Sequence, residues 1–380
     1  MQTFLEKKPL YYDKIDYTRM PRIYGRIKKF LKLPKIIHVV GTNGKGTTGR
    51  FLASALHSLG FYVGHYTSPH ILEFNERIWL DGNNVTNVRL NDAHSKLLSL
   101  LTPQEAETLS YFEYTTLLAI YLYQECDYVV FEAGLGGEYD ATSVFENILT
   151  LVTPIDFDHE AFLGSDIDSI ATTKLNAVKR RAILAKQPHK EVITVAKRVA
   201  QQKEILIERY DGLLNEKDSV KITKIAQNNN LSHYLKENLM LSIAALKILD
   251  IDYEVEHFEN AKLFGRLSQL STNVLIDVGH NTLAAKSIYE TLKENKYILV
   301  YNSYKDKNYK DILHILKPII SHIEIIDVKD ERIEKRDKLT EAMKDLEIEY
   351  KKFQRVSADE DYLVFGSFSV VEAFLKEYRE

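Results

Sequence analysis

The chain has 380 residues, which suggests two domains, and its 45% hydrophobic and 27% charged content is ordinary for a folded protein, so disorder is excluded as its main state. The net charge of −4, from 50 basic and 54 acidic residues, argues against a general nucleic-acid binder. The one cysteine, Cys126, excludes an intrachain disulfide framework and a cysteine-rich zinc site.

The amino-terminal residues lack the apolar core of a signal peptide. No apolar run approaches the roughly 20 residues that a membrane span needs. Together with the single cysteine, these features predict a cytoplasmic protein without a membrane partner.

The first predicted elements form a strand–loop–helix–strand unit. The β-branched run at residues 36–40 predicts a buried strand, which leads into a glycine-rich loop that begins at Gly41. Apolar residues then recur at helical spacing from Phe51 to Leu59, and residues 61–63 predict the next strand. This order of elements implies a parallel sheet.

The same alternation continues downstream. Residues 112–124 predict a helix, and residues 128–131 predict a strand that ends at Glu132 and a glycine-rich turn. A further strand, predicted at residues 148–152, is followed by an acidic loop that contains His159.

A second domain is expected from about residue 258, after an apolar helix at residues 235–249. Its predicted elements are strands at 274–278, 297–301, 323–328 and 362–365 and a helix at 284–292. The stretch 329–352, which carries many charges of both signs, predicts a solvated helix and loop. The fold class is therefore α/β, with a mostly parallel P-loop sheet domain at 1–257 and a smaller Rossmann-like α/β domain at 258–380.

The loop from Gly41 to Thr47, Gly-Thr-Asn-Gly-Lys-Gly-Thr, has the composition of a phosphate-binding loop. Glycines let successive backbone N–H groups face phosphate oxygens, and the start of the following helix adds partial positive charge. Lys45 can reach the β- and γ-phosphates of a nucleotide, and the hydroxyl of Thr47 or Thr48 lies near the expected Mg²⁺ position. Gly46 separates the lysine from the threonine, unlike the common G-x-x-x-x-G-K-[ST] pattern. A glycine turn that only caps a helix is the alternative, which the preceding strand and following helix disfavour.

Short stretches in a fixed order run along most of the chain. They are residues 38–47 (HVVGTNGKGT), 66–70 (YTSPH), 74–78 (FNERI), 131–137 (FEAGLGG), 140–142 (DAT), 156–159 (DFDH), 265–266 (GR), 277–281 (DVGHN) and 365–368 (FGSF). This set resembles the Mur ligase superfamily of ATP-dependent amide ligases and, within it, the bacterial bifunctional folylpolyglutamate synthase/dihydrofolate synthase family. The resemblance implies a Mur-ligase-like central domain with pterin-binding loops and a Mur-ligase-like carboxy-terminal domain.

The resemblance also implies a Mg²⁺ site formed by Ser68, Glu132 and His159. Glu132 stands at the end of a predicted parallel strand, where ligand sites collect, and Mg²⁺ prefers oxygen ligands. From the residues alone, Glu132 can instead cap the glycine turn, and His159 can be a general base or a satisfied polar histidine. The resemblance further implies that Lys174 is a catalytic lysine, carbamylated to a carboxylate that supports the metal. An unmodified lysine in an ion pair is the alternative.

An ATP site that draws on both domains is implied by the same resemblance. Its expected contacts are Thr42, Asn43, Gly44, Lys45, Gly46 and Thr47 in the loop, and Asn238, Arg266 and Asp277 outside it. Lys45 is also expected to be catalytic, and Arg266 to stabilise charge during phosphoryl transfer. Asp277 is expected to accept hydrogen bonds from the ribose, and His280 is a catalytic candidate of the second domain. The alternatives are a helix-packing amide at Asn238 and ordinary loop or surface roles for the others.

A pocket for dihydropteroate is implied near two aromatic segments. The expected contacts are Tyr111, Phe112, Glu113, Tyr139 and Asp140. Aromatic rings can stack on a pterin, and Glu113 can accept hydrogen bonds from its amino edge. The alternative for residues 110–114 is the aromatic start of a buried helix. The sequence departs from the family pattern at Glu138 and Ser143, where arginine and asparagine are usual, and at residues 6–9.

These implications predict an ATP-dependent amide ligase that adds L-glutamate to dihydropteroate, and to reduced folates, through an acyl phosphate. ATP and Mg²⁺, at one or two sites, are the expected cofactors, and we expect small-molecule substrates, no nucleic-acid partner and a monomer. A cell-wall precursor ligase is a second candidate, although the sequence before the first strand is too short for the UDP-binding domain of such enzymes. A nucleotide-gated P-loop protein without ligase activity is a third, and it leaves Glu132, His159 and Lys174 unexplained.

Overall fold

The computed structural model describes residues 1–9, 16–259 and 261–379. The chain divides into two compact units, the first made of residues 1–230 with 235–261 and the second of residues 231–234 with 262–380. Within the described part of the chain, no helix is both long and apolar enough to cross a membrane. The limits 1–257 and 258–380 stay a prediction for independently folding domains.

The first unit is built on a sheet of eight strands among its described residues. The strands are β1 (Lys35–Val40), β2 (Val63–Tyr66), β3 (Ile78–Leu80), β4 (Asn83–Asn84), β5 (Tyr128–Glu132), β6 (Leu149–Val152), β7 (Arg181–Leu184) and β8 (Leu206–Arg209). The helices are α1 (Gln2–Leu5), α2 (Arg19–Ile27), α3 (Lys45–Ser58), α4 (Asn87–Leu100), α5 (Pro103–Thr108), α6 (Tyr111–Leu122), α7 (Glu160–Leu163), α8 (Ile167–Leu175), α9 (Lys190–Lys203), α10 (Glu216–Asn228) and α11 (His233–Ile248).

The strand order places the ends of four strands at one edge of this sheet. The order is β4-β3-β2-β5-β1-β6-β7-β8, with β3 antiparallel to both β2 and β4 and the other pairs parallel. In register, Val39 of β1 lies opposite Glu132 of β5, and Val40 lies opposite Val152 of β6. Because the carboxyl ends of parallel strands meet at one edge, the loops after β1, β2, β5 and β6 come together there.

Apolar cores cover both faces of the first sheet. Ile36 of β1 belongs to a core that includes residues of α2, α4 and α6, whereas Val40 belongs to a core with residues of α8 and α9. Five of the six residues of β1 are buried. A strand covered on both faces needs a continuous apolar run, which is why the sequence of β1 does not alternate.

The second unit contains a smaller sheet with the order β13-β12-β11-β14-β10-β9, in which only β9 is antiparallel to its neighbour among the described strands. Its strands are β9 (Ser268–Ser271), β10 (Val274–Asp277), β11 (Tyr297–Tyr301), β12 (Ile320–Ile325), β13 (Tyr350–Lys352) and β14 (Tyr362–Phe365). Its helices are α12 (Thr282–Leu292), α13 (Tyr309–Leu316), α14 (Arg336–Asp345) and α15 (Phe368–Arg379).

The predicted α/β class with mostly parallel sheets is confirmed, and so are most predicted elements. The strand predicted at 61–63 is wrong in its limits, because the strand is Val63–Tyr66, with Gly64 and His65 inside it. The stretch 329–352 contains α14 as expected, but it also contains the unpredicted strand β13. Two of the three residues of β13 are exposed lysines at the edge of the sheet, so the strand lacks an apolar signal.

Gly64 provides a test of this packing. A Cβ at Gly64 would lie 2.5 Å from Cδ1 of Tyr123, whose ring is fully buried. We expect Gly64→Ala to lower the free energy of unfolding by about 1–3 kcal/mol, because the ring has no room to move. Gly25→Ala is the control: nothing lies within 4 Å of its Cβ position in α2, and alanine favours a helix over glycine. Urea unfolding that shows equal stability for both variants would contradict this account of the core.

Candidate functional site

The phosphate loop, Gly41–Thr47, joins β1 to α3 with two glycines in positive-φ conformations. Gly41 has a φ of 142°, and a Cβ there would collide with Oγ1 of Thr153 in the loop after β6. Gly44 has a φ of 85°, and its Cβ would collide with Oδ1 of Asn238 in α11. Only glycine therefore fits at either position. Asn238 therefore lies against the loop, and its contact with ATP stays a prediction.

The first turn of α3 carries the polar groups of a nucleotide site. The first N–H groups of a helix have no acceptor within the helix, so Lys45, Gly46 and Thr47 supply donors that an anion can use. The hydroxyl oxygens of Thr47 and Thr48 are buried and have no hydrogen-bond partner among the described residues. Buried hydroxyls without partners are rare in folded proteins, so this pair fits a site that receives a ligand or a metal ion.

Lys45 lies between its own loop and Glu132. Its Nζ donates to the carbonyl oxygens of Thr42, at 3.1 Å, and Gly41, at 3.3 Å, and lies 4.0 Å from Oε1 of Glu132. Glu132 is the last residue of β5 and is 4% exposed. A cation and a carboxylate therefore stand together at the ends of two adjacent parallel strands.

Glu132 is also bound to the segment that follows β2. Its Oε2 accepts hydrogen bonds from the hydroxyl of Thr67 and from the backbone N–H of Ser68, the latter at 3.2 Å. Two of the three expected metal ligands are thus in contact. Carboxylate and hydroxyl oxygens are ligands that suit Mg²⁺, which usually keeps several waters and phosphate oxygens as well.

The third expected metal ligand, His159, lies in the loop after β6. It has a φ of 53° at the start of α7, and its Nε2 lies 3.9 Å from Oδ2 of Asp158. The same loop contacts the phosphate loop, because the N–H groups of Thr42 and Asn43 donate to the carbonyl oxygen of Pro154 at 2.9 and 3.4 Å. No group of three or more histidine, cysteine, aspartate or glutamate side chains that could hold a metal lies within the described residues.

Lys174 reaches the phosphate loop from α8. Its side chain is buried, and its Nζ donates to the carbonyl oxygen of Gly41 at 2.9 Å. Burial, helped by the nearby cation of Lys45 and opposed by Asp158 and Asp140, lowers the pKa of Lys174 to about 7. A substantial fraction of this amine is therefore neutral near physiological pH.

Asp140 organises the glycine-rich turn after β5. Its carboxylate is buried and accepts the N–H groups of Gly134, Leu135 and Thr142, each at 2.9 Å. Burial raises the pKa of Asp140, and these hydrogen bonds oppose the rise. Tyr139, by contrast, is 58% exposed. The structure therefore presents Tyr139 to solvent and engages Asp140 inside the turn.

The two glycine-turn residues that depart from the family pattern, Glu138 and Ser143, form hydrogen bonds with nearby residues. Glu138 accepts a hydrogen bond from Nδ2 of Asn176 at 2.8 Å, at the end of α8. The hydroxyl of Ser143 donates to the carbonyl oxygen of Gly137 at 2.5 Å. Both side chains thus connect the glycine-rich turn to its own surroundings.

The start of α6 holds the three other expected pterin contacts. Glu113 accepts the N–H of Ser110 at 2.8 Å in a capping box, and Arg19 of α2 binds its carboxylate through Nε, at 2.9 Å, and through a terminal guanidinium nitrogen, at 2.8 Å. Phe112 lies against Gly134, where a Cβ would be 2.6 Å from its Cζ. The guanidinium of Arg77 lies 5.2 Å from the ring centre of Tyr111.

Arg77 links this aromatic start of α6 to the segment after β2. Its Nε donates to Nδ1 of His70 at 2.8 Å, and burial lowers the pKa of His70 to about 4, so this nitrogen accepts as a neutral imidazole. Residues 67–77 therefore contact Glu132 at one end and Tyr111 at the other.

The expected site residues of the second unit gather at the end of β10. Asp277 accepts the hydroxyl of Tyr234 at 2.9 Å and the N–H groups of Leu267 and Gly279 at 2.8 and 2.7 Å. The guanidinium of Arg266 lies 5.4 Å from the ring centre of Phe368. Nδ1 of His280 lies 3.1 Å from the carbonyl oxygen of Val278. Asp277 thus holds the backbone around Arg266 in place, and the ATP roles of these residues stay predictions.

Sequence reasoning missed two residues that shape the site. Arg19 lies 94 positions from Glu113, and no local pattern indicates that two such distant side chains form an ion pair. Thr67 directly precedes Ser68 in the stretch at residues 66–70, and its hydroxyl donates to Glu132. Its position next to an expected metal ligand is the signal that could have identified it.

Lys45 provides the direct test of the phosphate loop. We expect Lys45→Ala to abolish ATP turnover and to weaken MgATP binding at least about tenfold, because a charge-assisted contact to phosphate is lost. The thermal unfolding temperature should stay unchanged, since among the described residues the lysine amine interacts with two loop carbonyls and with one carboxylate at 4.0 Å. Lys96→Ala, which removes an exposed lysine paired with Asp92 on α4, is the control. Normal turnover by Lys45→Ala would contradict the assignment.

Comparison with known proteins finds relatives along the whole chain, although no protein-family model matches it. The chain is 39% identical to Helicobacter pylori folylpolyglutamate synthetase, whose crystal structure matches with a TM-score of 0.80 over 100% of this chain and 97% of that one. It is 27% identical over 426 residues to the dihydrofolate synthase/folylpolyglutamate synthase of Haemophilus influenzae, over 98% of this chain and 95% of that protein. It is 25% identical to Escherichia coli FolC in complex with DHPP and ADP, with a TM-score of 0.82 over 98% and 95% of the two chains.

These similarities extend over nearly the full length of both partners in each comparison, so they include both units of the chain. The phosphate loop, Glu132 and Ser68 lie together in the structure as the sequence motifs implied. The chain therefore belongs to the dihydrofolate synthase/folylpolyglutamate synthase family of ATP-dependent ligases.

Proposed function

We propose that this chain transfers L-glutamate onto dihydropteroate, forming dihydrofolate, and onto reduced folates, extending their glutamate tails. The observation that carries the proposal is the contact set around Glu132: Lys45 at 4.0 Å, the N–H of Ser68 at 3.2 Å and the hydroxyl of Thr67. This set supports the proposal, because the lysine of a phosphate-binding loop lies beside oxygen atoms of the kind that Mg²⁺ prefers. The named activities of the relatives support the same assignment.

A carboxylate does not condense with an amine in water without activation. The acceptor carboxylate attacks the γ-phosphorus of ATP and forms an acyl phosphate, and ADP leaves. The amine of L-glutamate then attacks the acyl carbon and loses a proton. The tetrahedral intermediate collapses, the bond between the acyl carbon and the phosphate oxygen breaks, and inorganic phosphate leaves as the amide forms. Lys45 and the first N–H groups of α3 stabilise charge on the transferred phosphoryl group. We propose that Arg266 adds a positive charge during phosphoryl transfer and that His280 is a catalytic residue of the second unit.

The side chains around the phosphate loop fit Mg²⁺. Hard oxygen donors are supplied by the hydroxyls of Thr47 and Thr48, which have no partner in the described part of the chain, by the carboxylate of Glu132 and by the hydroxyl of Ser68. His159 completes the proposed set. Bound there, Mg²⁺ neutralises phosphate charge and polarises the phosphoryl group. A second ion is accommodated if Lys174 carries a carbamate, since that adds another carboxylate beside the loop.

The acceptor pocket is proposed at the start of α6 and the glycine-rich turn. Tyr111, Phe112 and Tyr139 supply aromatic surface for a pterin ring. Glu113 is engaged with Arg19, holds this surface in place and keeps acceptor capacity for the ligand. Asp140 already accepts four hydrogen bonds within its own turn, so it supports the pocket by holding that turn in place. The monomeric state and cytoplasmic location stay predictions.

The proposal is tested with purified protein, MgATP, L-glutamate and either dihydropteroate or tetrahydrofolate. Mass spectrometry identifies the products by their mass. We expect one glutamyl unit on dihydropteroate and further units on tetrahydrofolate, each with release of ADP. Lys45→Ala and a reaction without L-glutamate are the controls. If neither acceptor gains glutamate while nucleotide still binds, the nucleotide-gated alternative is supported and the ligase assignment fails.

Lys174 gives a test that does not depend on turnover. Its neutral amine can attack CO₂, forming an N–C bond and losing a proton, so a carbamate forms more readily as pH rises through the pKa of about 7. We expect a carbamate carbon signal after addition of ¹³C-bicarbonate that is strong at about pH 8 and weak at about pH 6. Lys174→Met should remove it.

Lys8 offers the matched control for Lys174. Lys8 is also buried, and burial lowers its pKa, but its Nζ donates to the three carbonyl oxygens of Ala106, Glu107 and Leu109, and its side chain does not reach the phosphate loop. Lys8→Met should therefore leave the carbamate signal unchanged. A wild-type spectrum without the signal at either pH would show that Lys174 acts as an unmodified amine.

A further inference from the structure

The loop after β6 is held by a histidine that is not part of the nucleotide site described above. His189 is the N-cap residue of α9, and its Nε2–H donates to Oδ1 of Asp156 at 2.7 Å. The same oxygen accepts the backbone N–H of Phe157 at 2.8 Å, and the ring of Phe157 meets the imidazole edge-on. The carboxylate side chain is 10% exposed, so this contact is largely shielded from water.

Asp156 connects the histidine to the phosphate loop. Its backbone N–H donates to Oγ1 of Thr42 at 3.1 Å, and that hydroxyl donates back to the carbonyl oxygen of Asp156 at 3.0 Å. The N–H of Thr42 donates to the carbonyl oxygen of Pro154. Three residues further along the same loop is His159. The position of Asp156 therefore influences both the start of the phosphate loop and a proposed metal ligand.

A second residue of the β7–α9 connection holds the same loop at a different point. Oε1 of Gln187 accepts the N–H of Ile155 at 2.9 Å, and its Nε2 donates to the carbonyl oxygen of Ala185 at 3.0 Å. Gln187 thus fixes the backbone before Asp156, whereas His189 fixes the side chain of Asp156 itself. Removing the histidine leaves the loop attached through Gln187 but leaves a buried carboxylate with one donor fewer, which favours movement toward water.

We propose that His189, acting through Asp156, is a positioning residue that sets the geometry of the phosphate loop for MgATP. The inference rests on the proposed function of that loop and assigns a role to a side chain outside it. Its consequence is specific: losing the contact weakens nucleotide binding and leaves the affinity for L-glutamate unchanged.

The chain offers a control histidine. Nδ1 of His57 lies 3.2 Å from Oδ1 of Asp81 without the geometry of a hydrogen bond, and the imidazole meets Trp79 edge-on, so this histidine also lies beside a carboxylate and an aromatic ring. His57 stands in the last turn of α3, at the opposite end of that helix from the phosphate loop. His57→Ala therefore reports the general cost of losing such a pair.

The experiment measures the Kd of MgADP by calorimetry for His189→Ala, His189→Gln and His57→Ala, with thermal unfolding for each. We expect His189→Ala to raise this Kd about tenfold, the order of a lost charge-assisted hydrogen bond. His189→Gln keeps an N–H donor and should restore most of the affinity, while His57→Ala should stay within about twofold of wild type. A Kd within twofold for His189→Ala, or an equal rise for His57→Ala, would overturn the proposal.

Two further measurements keep the test decisive. If His189→Ala does not fold, Asp156→Asn takes its place, because it keeps the acceptor oxygen but removes the charge. This variant should raise the Kd of MgADP at least about threefold. An unchanged Kd would overturn the proposal. In active protein, the KM for ATP should rise in His189→Ala while the KM for L-glutamate stays constant. Because calorimetry with MgADP needs no ligase activity, failure of the proposed reaction and failure of this inference are distinguishable.

Discussion

The carbonyl oxygen of Gly41 receives two lysine side chains, Lys174 at 2.9 Å and Lys45 at 3.3 Å, and the geometry of the nucleotide site depends on this point. The carbonyl can stand there only because Gly41 has no Cβ to collide with Thr153. This carbonyl thus joins the end of β1 to α8 and to the start of α3, while Thr153 of the loop after β6 packs against the same glycine. Moving it would change the positions of the phosphate loop and of both lysines together.

Buried carboxylates hold the surrounding loops. Asp140, Glu113, Asp277 and Asp156 each accept at least one backbone N–H group in addition to a side-chain partner. A charge removed from water must be compensated by several donors, and donors from backbone segments fix those segments in return. The residues that sequence motifs assign to ligands therefore also carry the conformation of their loops, so substituting them affects both structure and binding.

Features that depend on neighbouring residues alone could be predicted from the sequence. The β-branched run of β1, the glycine loop, the position of Glu132 at the end of β5 and the apolar α11 all follow from short-range pattern. Contacts across long sequence separations could not be predicted: Arg19 with Glu113, and Lys174 with Gly41, arise from the arrangement of whole elements. The limits of β2 were missed because its Gly64 and His65 lack β-strand character, and burial against Tyr123 and Arg50 decides their conformation.

Residues 67–77 form a shared wall, with Glu132 of the nucleotide site at one end and Tyr111 of the proposed acceptor pocket at the other. This wall has a consequence for how the protein can evolve. A substitution at Tyr111 that reshapes the pocket also changes the surroundings of Arg77, whose guanidinium donates to His70. Both residues belong to the same segment as Ser68. New acceptor preferences should therefore arise as sets of compensating substitutions along this wall, because a single exchange would also disturb the segment that binds Glu132 beside the phosphate loop.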